Sequence, residues 1–479
     1  MNLSLPSVRP FLIAGTWQES EPRVPVINPY SGEHITEVCQ AQPHHVEQAI
    51  QAAVNASIPF KKLSSYARAQ ALSQLTTLLT NRQEEFAQTI CLEAGKPISE
   101  ARREVGRAIN TFDLASEEAK RIPGNVIPLD LSPGTEQHLG MIRRFPIGPV
   151  LGITPFNFPL NLVVHKVAPC LAAGNPIVIK PAPQTPLTAL LLGEIMLELD
   201  LPPGTISIVP CDNHLAEQMV TDDRFRALSF TGSASVGWAL KAKAGKKRVI
   251  LELGGNAGVI IEPDANLKHV AQRCVAGGYA YSGQTCISVQ RIFVHDHIYD
   301  EFSALLVDHV QALTTGDPQE DPTFVGPLIN DPALNRVEEW ISEATLNGAH
   351  KLTGGSRQGN IIEPTILDNV QSNMKVFCQE VFGPIVTLTR YQDYPEALAL
   401  LNNSPFGLQA GVFTNDIQKI FHAYQDLEVG TVLANEIPTF RADHMPYGGI
   451  KDSGIGREGV SYAIEELTDL KLLVLNLSS

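Results

Sequence analysis

The sequence is poor in charged residues, in aromatic residues and in long apolar runs. Charged residues make up 18% of the 479 residues and aromatic residues 6%. No run of about 18 apolar residues occurs, so no membrane-spanning helix is expected. The first residues carry no positive charge and the apolar run at residues 11–14 is too short for a secretory signal, so none is expected.

Basic residues are in the minority. Lysine and arginine number 36 against 51 aspartate and glutamate residues, which gives a formal net charge of −15. Because an acidic chain repels a phosphate backbone, no nucleic-acid partner is expected. The densest basic segment, residues 241–248, is interpreted as a solvated helix face that leads into a strand.

Cysteine is scarce. The chain has 7 cysteines, an odd number, and no Cys-x-x-Cys pair. A disulfide framework is therefore excluded, and reduced thiols in a cytoplasmic protein are predicted. The spacing of histidine, cysteine and acidic residues shows no pattern of metal ligands, so no metal site is expected.

What the sequence does contain is an alternation of short apolar runs with amphipathic helices. Residues 43–122 are predicted to be mostly helical, with one helix ending before Gly95 and another starting after Pro97. From residue 146 onward the alternation is typical of βαβ units, which predicts an α/β fold with a parallel sheet of the dinucleotide-binding kind. Paired glycines predict a domain boundary near residues 253–256, and a second α/β block follows.

Three segments do not fit this alternation. Residues 138–145 form an extended segment, and residues 470–477 form a strand with no helix after it. Both are interpreted as elements of a sheet edge or of a contact between subunits. The Gly-x-Gly-x-x-Gly match from Gly454 to Gly459 follows no convincing strand and is therefore not interpreted as a dinucleotide-binding motif.

Cys286 lies in the segment Ser-Gly-Gln-Thr-Cys-Ile-Ser at residues 282–288. A lone cysteine is most often a small buried apolar residue. Here the flanking residues are small and polar and a strand follows. This pattern indicates a loop, where a thiol can be exposed and activated.

Polar residues follow the apolar runs of the first α/β block. Glu252 is either a salt-bridged surface group or a partly buried carboxyl at the ligand-binding edge of a parallel sheet, with a raised pKa that suits general-base catalysis. Asn157 is either an ordinary turn residue or an amide donor to an oxyanion. Lys180 ends another run, and Gly232 and Ser233 open a helix whose first N–H groups can bind phosphate.

Taken together and in this order, these residues resemble the aldehyde dehydrogenase superfamily over essentially the whole chain. The matching stretches are residues 154–159, 180–185, 230–237, 252–256, 283–286, 380–384 and 446–459. The resemblance implies oxidation of an aldehyde to a carboxylic acid with NAD or NADP, in a homodimer or homotetramer. The implied units are a Rossmann-like cofactor domain (1–125 and 146–253), an α/β catalytic domain (254–445) and a small β oligomerisation arm (126–145 and 460–479).

The resemblance gives three residues catalytic roles. Cys286 is implied as the nucleophile that forms a thiohemiacetal and then a thioester, while the Asn157 amide and the Cys286 backbone N–H hold the oxyanion. Glu252 is implied to activate the water that releases the acid. Relatives that release an acyl-CoA typically lack this glutamate, so a free acid is expected. A CoA-acylating enzyme and a catalytically silent relative are the alternatives.

The resemblance also implies a set of cofactor-binding residues. They are Thr154, Pro155, Phe156, Lys180, Pro183, Phe230, Gly232, Ser233, Val236, Leu253, Gly254, Glu380 and Phe382. Pro183 stands where many NAD-preferring relatives carry a glutamate that binds the adenosine 2′-hydroxyl, so the choice between NAD and NADP stays open. Phe156 replaces a tryptophan of many relatives, a change that is expected to be tolerated.

The implied substrate is a short polar or anionic aldehyde. Residues 446–459 are similar to the branch that includes lactaldehyde, succinate-semialdehyde and non-phosphorylating glyceraldehyde-phosphate dehydrogenases. The candidate substrate residues are Arg107, Phe158, Thr285 and Arg441. Each arginine is either an anchor for an anionic tail or the partner of a nearby acid such as Asp443, and the sequence favours neither. Arg457 is expected to have a structural role.

Overall fold

The computed structural model describes residues 6–477 of the chain. Residues 1–5, which were considered as part of a secretory signal, and residues 478–479, at the end of the predicted arm, lie outside the described residues. The α-helices are α1 Pro43–Lys62, α2 Ser65–Asn81, α3 Gln83–Ala94, α4 Ile98–Ala119, α5 Asn161–Ala173, α6 Leu187–Met196, α7 Asn213–Thr221, α8 Ala234–Lys243, α9 Leu267–Tyr279, α10 Tyr299–Gln311, α11 Asp331–Leu346, α12 Lys375–Cys378, α13 Tyr394–Asn402, α14 Ile417–Asp426 and α15 Val460–Glu466.

The strands are numbered in the same way along the chain. They are β1 Val8–Arg9, β2 Phe11–Ile13, β3 Thr16–Gln18, β4 Arg23–Ile27, β5 His34–Cys39, β6 Asn125–Pro128, β7 His138–Pro146, β8 Val150–Ile153, β9 Ile177–Lys180, β10 Ile206–Ile208, β11 Ala227–Thr231, β12 Arg248–Glu252, β13 Gly258–Ile261, β14 Arg291–His295, β15 His350–Thr353, β16 Arg357–Gln358, β17 Ile361–Ile362, β18 Thr365–Asp368, β19 Ile385–Tyr391, β20 Phe406–Gly407, β21 Gln409–Phe413, β22 Thr431–Ala434, β23 Ile450–Lys451, β24 Gly454–Ile455 and β25 Thr468–Asn476. Short 3-10 helices lie at Ala280–Gly283 and Asp296–Ile298.

The helical region predicted at residues 43–122 is confirmed as α1 to α4. The prediction of one continuous helix ending before Gly95 is wrong. The chain leaves the helical conformation at Arg82 (φ −112°, ψ 17°), whose guanidinium reaches across to Glu194 on α6, and this break separates α2 from α3. The helix end at Gly95 is confirmed: its φ is +63°, and a Cβ there would lie 2.6 Å from Cγ of Pro327, so only glycine fits.

The first sheet holds the predicted series of apolar strands. Its eight strands run in the order β24-β12-β11-β8-β9-β10-β2-β3, and β8 to β12 are parallel to one another, which confirms the βαβ interpretation. The register sets Ile153 beside Lys180 and Thr231 beside Glu252. The side chains that follow these strands therefore share one carboxyl edge, the edge at which parallel sheets bind ligands.

The second sheet is built from the later α/β block. Its seven strands run in the order β15-β18-β19-β14-β13-β21-β22, and every neighbouring pair is parallel except β15 with β18. Cys286 lies in the segment before β14, and Glu380 lies in the segment before β19. Because β14 and β19 are parallel neighbours, both residues come to the amino edge of this sheet.

The third sheet is a small antiparallel one in the order β25-β7-β6. It confirms the extended conformation predicted for residues 138–145 and 470–477. Leu470, Leu472 and Leu473 on β25 have exposed side chains. The chain thus has the predicted α/β class, with a Rossmann-like sheet, a second α/β sheet and a small β unit. No helix within residues 6–477 combines the length and apolar character needed to cross a membrane.

Candidate active site

The carboxyl edge of the first sheet meets the two segments that lead into β14 and β19. The Nδ2 amide of Asn157, in the loop after β8, donates to the carbonyl oxygen of Gln284 at 3.0 Å. The N–H of Gly255, just after β12, donates to Oε1 of Glu380 at 2.9 Å. A Cβ at Gly255 would lie 2.0 Å from the carbonyl oxygen of Cys286, so only glycine lets the end of β12 approach the cysteine loop this closely.

Cys286 is partly exposed, and its Sγ lies 3.2 Å from Oη of Tyr447. Burial raises the pKa of the Cys286 thiol to about 12. The hydrogen bond with Tyr447 and the charge of Arg441 lower this pKa, whereas the carboxyl groups of Glu380 and Glu252 add to the rise. The group is therefore a neutral thiol at pH 7, and it has to ionise before it can act as a nucleophile.

Glu252 is the last residue of β12, and its side chain is buried. Its side chain is only 3% exposed, and neither carboxyl oxygen has a hydrogen-bond partner among the residues that the structure describes. Burial first, and then the negative charge of Glu458, raise the pKa of Glu252 well above its usual value, against the opposing charges of Arg441 and Lys166. A carboxyl group in this state keeps its proton to higher pH than an ordinary glutamate, and the hydrogen-bonding capacity of both oxygens is unused among the described residues, which suits a general base of raised pKa.

Glu458 lies at the centre of a buried ion cluster that the sequence analysis missed. Its Oε2 accepts a hydrogen bond from Nη2 of Arg441 at 2.8 Å, and its Oε1 lies 3.5 Å from Nζ of Lys166. Burial opposes the ionisation of Glu458, but the charges of Lys166 and Arg441 outweigh burial and hold its pKa below the usual value. Of the two neighbouring carboxyl groups, Glu458 thus loses its proton at lower pH than Glu252.

Lys166 had a recognisable signal in the sequence. It is the one acidic or basic residue, histidine aside, in the buried helix α5. Its Nζ donates to Oγ of Ser229 at 3.0 Å and to Oγ1 of Thr231 at 2.7 Å, both on β11. A lysine in an apolar helix indicates a buried ion pair, but its partner Glu458 lies far along the chain and could not be named from the sequence.

The segment from Gly454 to Gly459 supplies this partner. Gly454 pairs with Glu252 as β24 joins β12 in antiparallel fashion. The segment thus lies beside the end of β12 and does not start a βαβ unit. The guanidinium of Arg457 donates to the carbonyl oxygens of Gly449 and Gly456, which agrees with the structural role expected for it.

The predicted cofactor residues lie along the same carboxyl edge. Lys180 ends β9 and is buried, and its ammonium group forms no hydrogen bond or ion pair with any residue between 6 and 477. Helix α8 starts after Ser233, whose hydroxyl caps no N–H group of the helix. A Cβ at Gly232 would lie 2.7 Å from the ring of Phe230. An unpaired ammonium group and open N–H groups at a helix N-terminus fit the ribose and phosphates of a dinucleotide.

Glu380 and Phe382 approach this edge from the second sheet. Burial raises the pKa of Glu380 to about 7. A Cβ at Gly254 would lie 2.5 Å from Oε2 of Glu380, so the two segments are in close contact. Phe382 has φ +50°, and its ring centroid lies 5.8 Å from that of Phe156 in an edge-to-face arrangement. A bulky residue held in the left-handed region is strained, and such strain concentrates at functional sites.

The other predicted cofactor residues differ in exposure. Leu253 is buried, Pro155 is partly exposed, and Pro183 and Val236 are exposed. The N–H of Thr154 donates to β9 at 3.2 Å and extends the pairing of β8 with that strand.

Both candidate arginine anchors have an acidic partner. Nη2 of Arg107 lies 2.6 Å from Oδ1 of Asp443, which also lies 3.0 Å from Nε2 of His165. Arg441 pairs with Glu458, and its Nε has no hydrogen-bond partner among the described residues. The acid pairing that the sequence left as one alternative is therefore present for both residues, and each guanidinium keeps further donors.

The two remaining substrate candidates lie close to the oxyanion and nucleophile loops. Phe158 follows Asn157, and its ring lies 3.7 Å from Nζ of Lys96, a buried lysine that pairs with Glu104. Thr285 is buried directly before Cys286. Phe158 is thus held by a buried cation, and Thr285 is enclosed next to the sulfur-bearing residue.

Comparisons with known proteins show the family of this chain. The chain matches the model of the aldehyde dehydrogenase family over residues 17–473. It is 42% identical over 466 residues to 3-sulfolactaldehyde dehydrogenase of Priestia aryabhattai, with 97% of each chain covered.

Solved structures give the same result. Aldehyde dehydrogenase 21 from Physcomitrella patens, in complex with the reaction product succinate, superposes with a TM-score of 0.97 at 43% identity, with 99% of each chain covered. The NADP-dependent glyceraldehyde-3-phosphate dehydrogenase of Bacillus halodurans, complexed with NADP, gives a TM-score of 0.96 at 34% identity, with 98% of this chain and 99% of the other covered.

Proposed function

This chain belongs to the aldehyde dehydrogenase family and is an NAD(P)-dependent aldehyde dehydrogenase, and on that premise we propose that Cys286 is its nucleophile, Glu252 its general base and Asn157 its oxyanion donor. The observation that carries the proposal is the contact between the end of β12 and the cysteine loop, which Gly255 permits. This contact brings Cys286, which is partly exposed, near the end of the strand that carries Glu252, a buried carboxyl group whose two oxygens have no hydrogen-bond partner among the described residues.

The chemistry follows from these groups. The thiolate of Cys286 attacks the aldehyde carbon and gives a thiohemiacetal, while the Asn157 amide and the Cys286 N–H stabilise the oxyanion. Lys180 and Glu380 would hold NAD(P), which would supply the hydride acceptor for the oxidation. Glu252 then takes a proton from the water that hydrolyses the Cys286 thioester, and the acid is released.

Asn157 has the hydrogen-bonding capacity for its role. A side-chain amide carries two N–H donors, and one of them is used by the carbonyl oxygen of Gln284. That bond fixes the plane of the amide next to the cysteine loop. The second N–H group is then available to the oxyanion without any rearrangement of the side chain.

A free acid is the proposed product. Hydrolysis needs a base whose oxygens are not already engaged, and both oxygens of Glu252 lack a hydrogen-bond partner within the described part of the chain. The acylating alternative predicts that an acyl-CoA forms when coenzyme A is added. A catalytically silent protein is disfavoured because Cys286, Glu252 and Asn157 are all present. The Asn157 amide donates to Gln284 in the cysteine loop, and Gly255, three residues after Glu252, lies against Cys286.

NADP is proposed as an accepted cofactor alongside NAD. Pro183 is exposed and uncharged at the position where a carboxylate would exclude a 2′-phosphate. The similar glyceraldehyde-3-phosphate dehydrogenase of Bacillus halodurans is complexed with NADP. Both observations favour a site that tolerates the phosphate.

A short anionic aldehyde is the proposed substrate. Arg107 and Arg441 would bind its carboxylate, sulfonate or phosphate with the donors that Asp443 and Glu458 leave open. The similar proteins named above act on 3-sulfolactaldehyde or glyceraldehyde-3-phosphate, or hold succinate as product, and all three compounds are anionic.

The test is a panel of initial rates of reduced-cofactor formation with NAD and with NADP. The aldehydes are lactaldehyde, succinate semialdehyde, glyceraldehyde-3-phosphate and propionaldehyde. A higher kcat/KM for the anionic aldehydes, and its loss in Cys286→Ala, are expected. Equal kcat/KM values for propionaldehyde would overturn the proposed substrate class, and activity retained in Cys286→Ala would overturn the proposed nucleophile.

The division of the chain into units is part of the proposal. We assign residues 1–125 and 146–253 to cofactor binding and 254–445 to catalysis. The arm at 126–145 and 460–479 is assigned to a homodimer or homotetramer, because the exposed leucines of β25 are suited to burial against a second copy. The free state of all cysteines in the described residues supports a cytoplasmic location. Light scattering of the wild-type protein and of Leu472→Asp tests the assembly.

A further inference from the structure

Tyr447 lies against the sulfur of the proposed nucleophile and is held there by its surroundings. Its Oη is 3.2 Å from Sγ of Cys286, and the residue is 2% exposed. The guanidinium of Arg441 lies 3.7 Å from the centre of the tyrosine ring. The N–H and C=O groups of Tyr447 pair with those of Glu458 at 3.0 and 2.6 Å. The backbone and the ring of Tyr447 are therefore both fixed, and they hold the hydroxyl oxygen next to the sulfur of Cys286.

The hydroxyl has Cys286 as its hydrogen-bond partner and no other among the described residues. With a neutral thiol, either group can donate. Once Cys286 has lost its proton to solvent, the thiolate can only accept, so the phenol must donate. Burial, and then the nearby Cys286, keep the pKa of Tyr447 well above its usual value, so the phenol retains its proton when the thiolate forms.

The other titratable groups near the sulfur do not replace this donor. Arg441 is turned toward the tyrosine ring and toward Glu458. Glu252 and Glu380 are acidic and disfavour a thiolate. A hydrogen bond to an ionised acceptor is stronger than one to a neutral acceptor, so the Tyr447 hydroxyl favours the thiolate over the thiol.

We propose that Tyr447 is a further catalytic residue. Its phenolic O–H donates a hydrogen bond to the sulfur of Cys286 and so fixes and stabilises the attacking thiolate. The phenolic proton stays on Oη throughout, and no bond to it is made or broken. Arg441 acts as a positioning residue that holds the ring through its stacked guanidinium. The proposal rests on the proposed role of Cys286 as the nucleophile.

The test compares Tyr447→Phe with the wild-type protein and with Tyr279→Phe. The phenylalanine keeps the ring that Arg441 covers and removes one oxygen atom. Tyr279 is a matched control because it is also buried and its hydroxyl also donates one hydrogen bond, to the carbonyl oxygen of Thr365 at 2.9 Å. Thermal unfolding checks that both variants are folded.

The readout is the rate at which iodoacetamide alkylates Cys286, followed by mass spectrometry of its peptide between pH 7 and 9.5. No substrate is needed, so the outcome does not depend on the aldehyde. Loss of one hydrogen bond to a charged group is expected to slow alkylation of Tyr447→Phe about tenfold or more at each pH. Tyr279→Phe should react as the wild type does. Equal rates for Tyr447→Phe and the wild type would overturn the proposal.

Steady-state kinetics separates this role from contact with the substrate. A residue that acts on sulfur should lower kcat/KM by a similar factor for succinate semialdehyde and for propionaldehyde. A loss confined to the anionic aldehyde would assign Tyr447 to the substrate tail and overturn the proposal. A different result, activity retained in Cys286→Ala, would overturn the proposed function itself.

Discussion

Arg291 donates from Nε and Nη2 to the carbonyl oxygen of Asn256, at 3.1 and 2.8 Å. The same guanidinium donates to the carbonyl oxygens of Leu400 and Leu401. The arginine is fully buried at the start of β14, and burial lowers its pKa to about 9. It has no carboxylate partner in the described range, so it satisfies backbone oxygens and thereby joins the segment after β12 to the second sheet.

Replacing Arg291 is expected to destabilise the protein. In Arg291→Met the buried carbonyl oxygens lose their donor, which is expected to lower the free energy of unfolding by about 3 kcal/mol or more. Urea denaturation followed by circular dichroism measures the change. Arg273 is a matched control, because it is half-buried and pairs with Glu436 near the surface. Arg273→Met should cost about 1 kcal/mol or less. Equal losses would contradict the role given to Arg291.

Arg291 also shows where sequence reasoning ends. The short apolar run that follows Arg291 predicts β14. The alternation of such runs with helices predicts the parallel sheets. Both predictions are possible because they depend on local periodicity. The partners of Arg291 are carbonyl oxygens around residues 256 and 400, and nothing in local sequence pairs such distant segments. The same limit applies to Glu458 with Lys166, whose ion pair spans the two halves of the chain.

The candidate site was predictable where it depends on position after a strand. Glu252, Asn157 and Lys180 all follow apolar runs, so the carboxyl edge of the sheet brings them together. Tyr447 follows no such run and lies in a glycine-rich turn, so the sequence offered no sign of its contact with Cys286. The break at Arg82 was missed for a related reason, since its partner Glu194 lies on another helix.

Replacing Glu252 should separate the two halves of the reaction. In Glu252→Gln the thioester forms but no carboxylate activates the water, so a burst of about one reduced cofactor per subunit is expected, followed by turnover slowed about 10²- to 10⁴-fold. Stopped-flow absorbance measures both phases. Cys286→Ala is the control and should give neither burst nor turnover. Steady turnover at the wild-type rate in Glu252→Gln would contradict the assignment of the base.

The pH dependence of the second phase follows from the raised pKa of Glu252. Because burial raises the pKa of this carboxyl well above its usual value, the fraction of active base grows as pH rises toward and through that pKa. Thioester hydrolysis in the wild type is therefore expected to accelerate from pH 6 to 9. In Glu252→Gln the slow hydrolysis should lose this carboxyl-dependent rise. A wild-type rate that stays constant from pH 6 to 9 would show that the group is already ionised throughout this range.

Cofactor affinity is expected to depend on the ionisation of Glu380. Its pKa is raised to about 7, so the carboxylate that can accept hydrogen bonds from a ribose is present above pH 7 and is lost as pH falls below it. Fluorescence titration with NADH is expected to give weaker binding at pH 6 than at pH 8, by up to about tenfold. Glu380→Gln should bind with one affinity at both pH values. NADH is the preferred probe because it lacks the titrating 2′-phosphate.

Arg107 offers the sharpest test of the substrate class. It is 29% exposed, whereas Arg441 is 6% exposed and stacked on Tyr447, so Arg107 can be changed with less damage to the site. In Arg107→Ala, KM for succinate semialdehyde should rise about tenfold to a hundredfold, as expected for a lost charge-assisted hydrogen bond, while KM for propionaldehyde should stay the same.

Arg103 supplies the control for this comparison. It lies one turn earlier on α4, is 74% exposed and pairs with Glu100. Since Arg103→Ala removes the same charge from the same helix at an outward position, it should leave both KM values unchanged. If Arg107→Ala instead lowers kcat for both aldehydes equally, the arginine serves to hold Asp443 and His165 in place, and the anionic tail is bound elsewhere. The ratio of the two KM values therefore decides between an anchor and a structural ion pair, because only an anchor distinguishes a charged aldehyde from a neutral one.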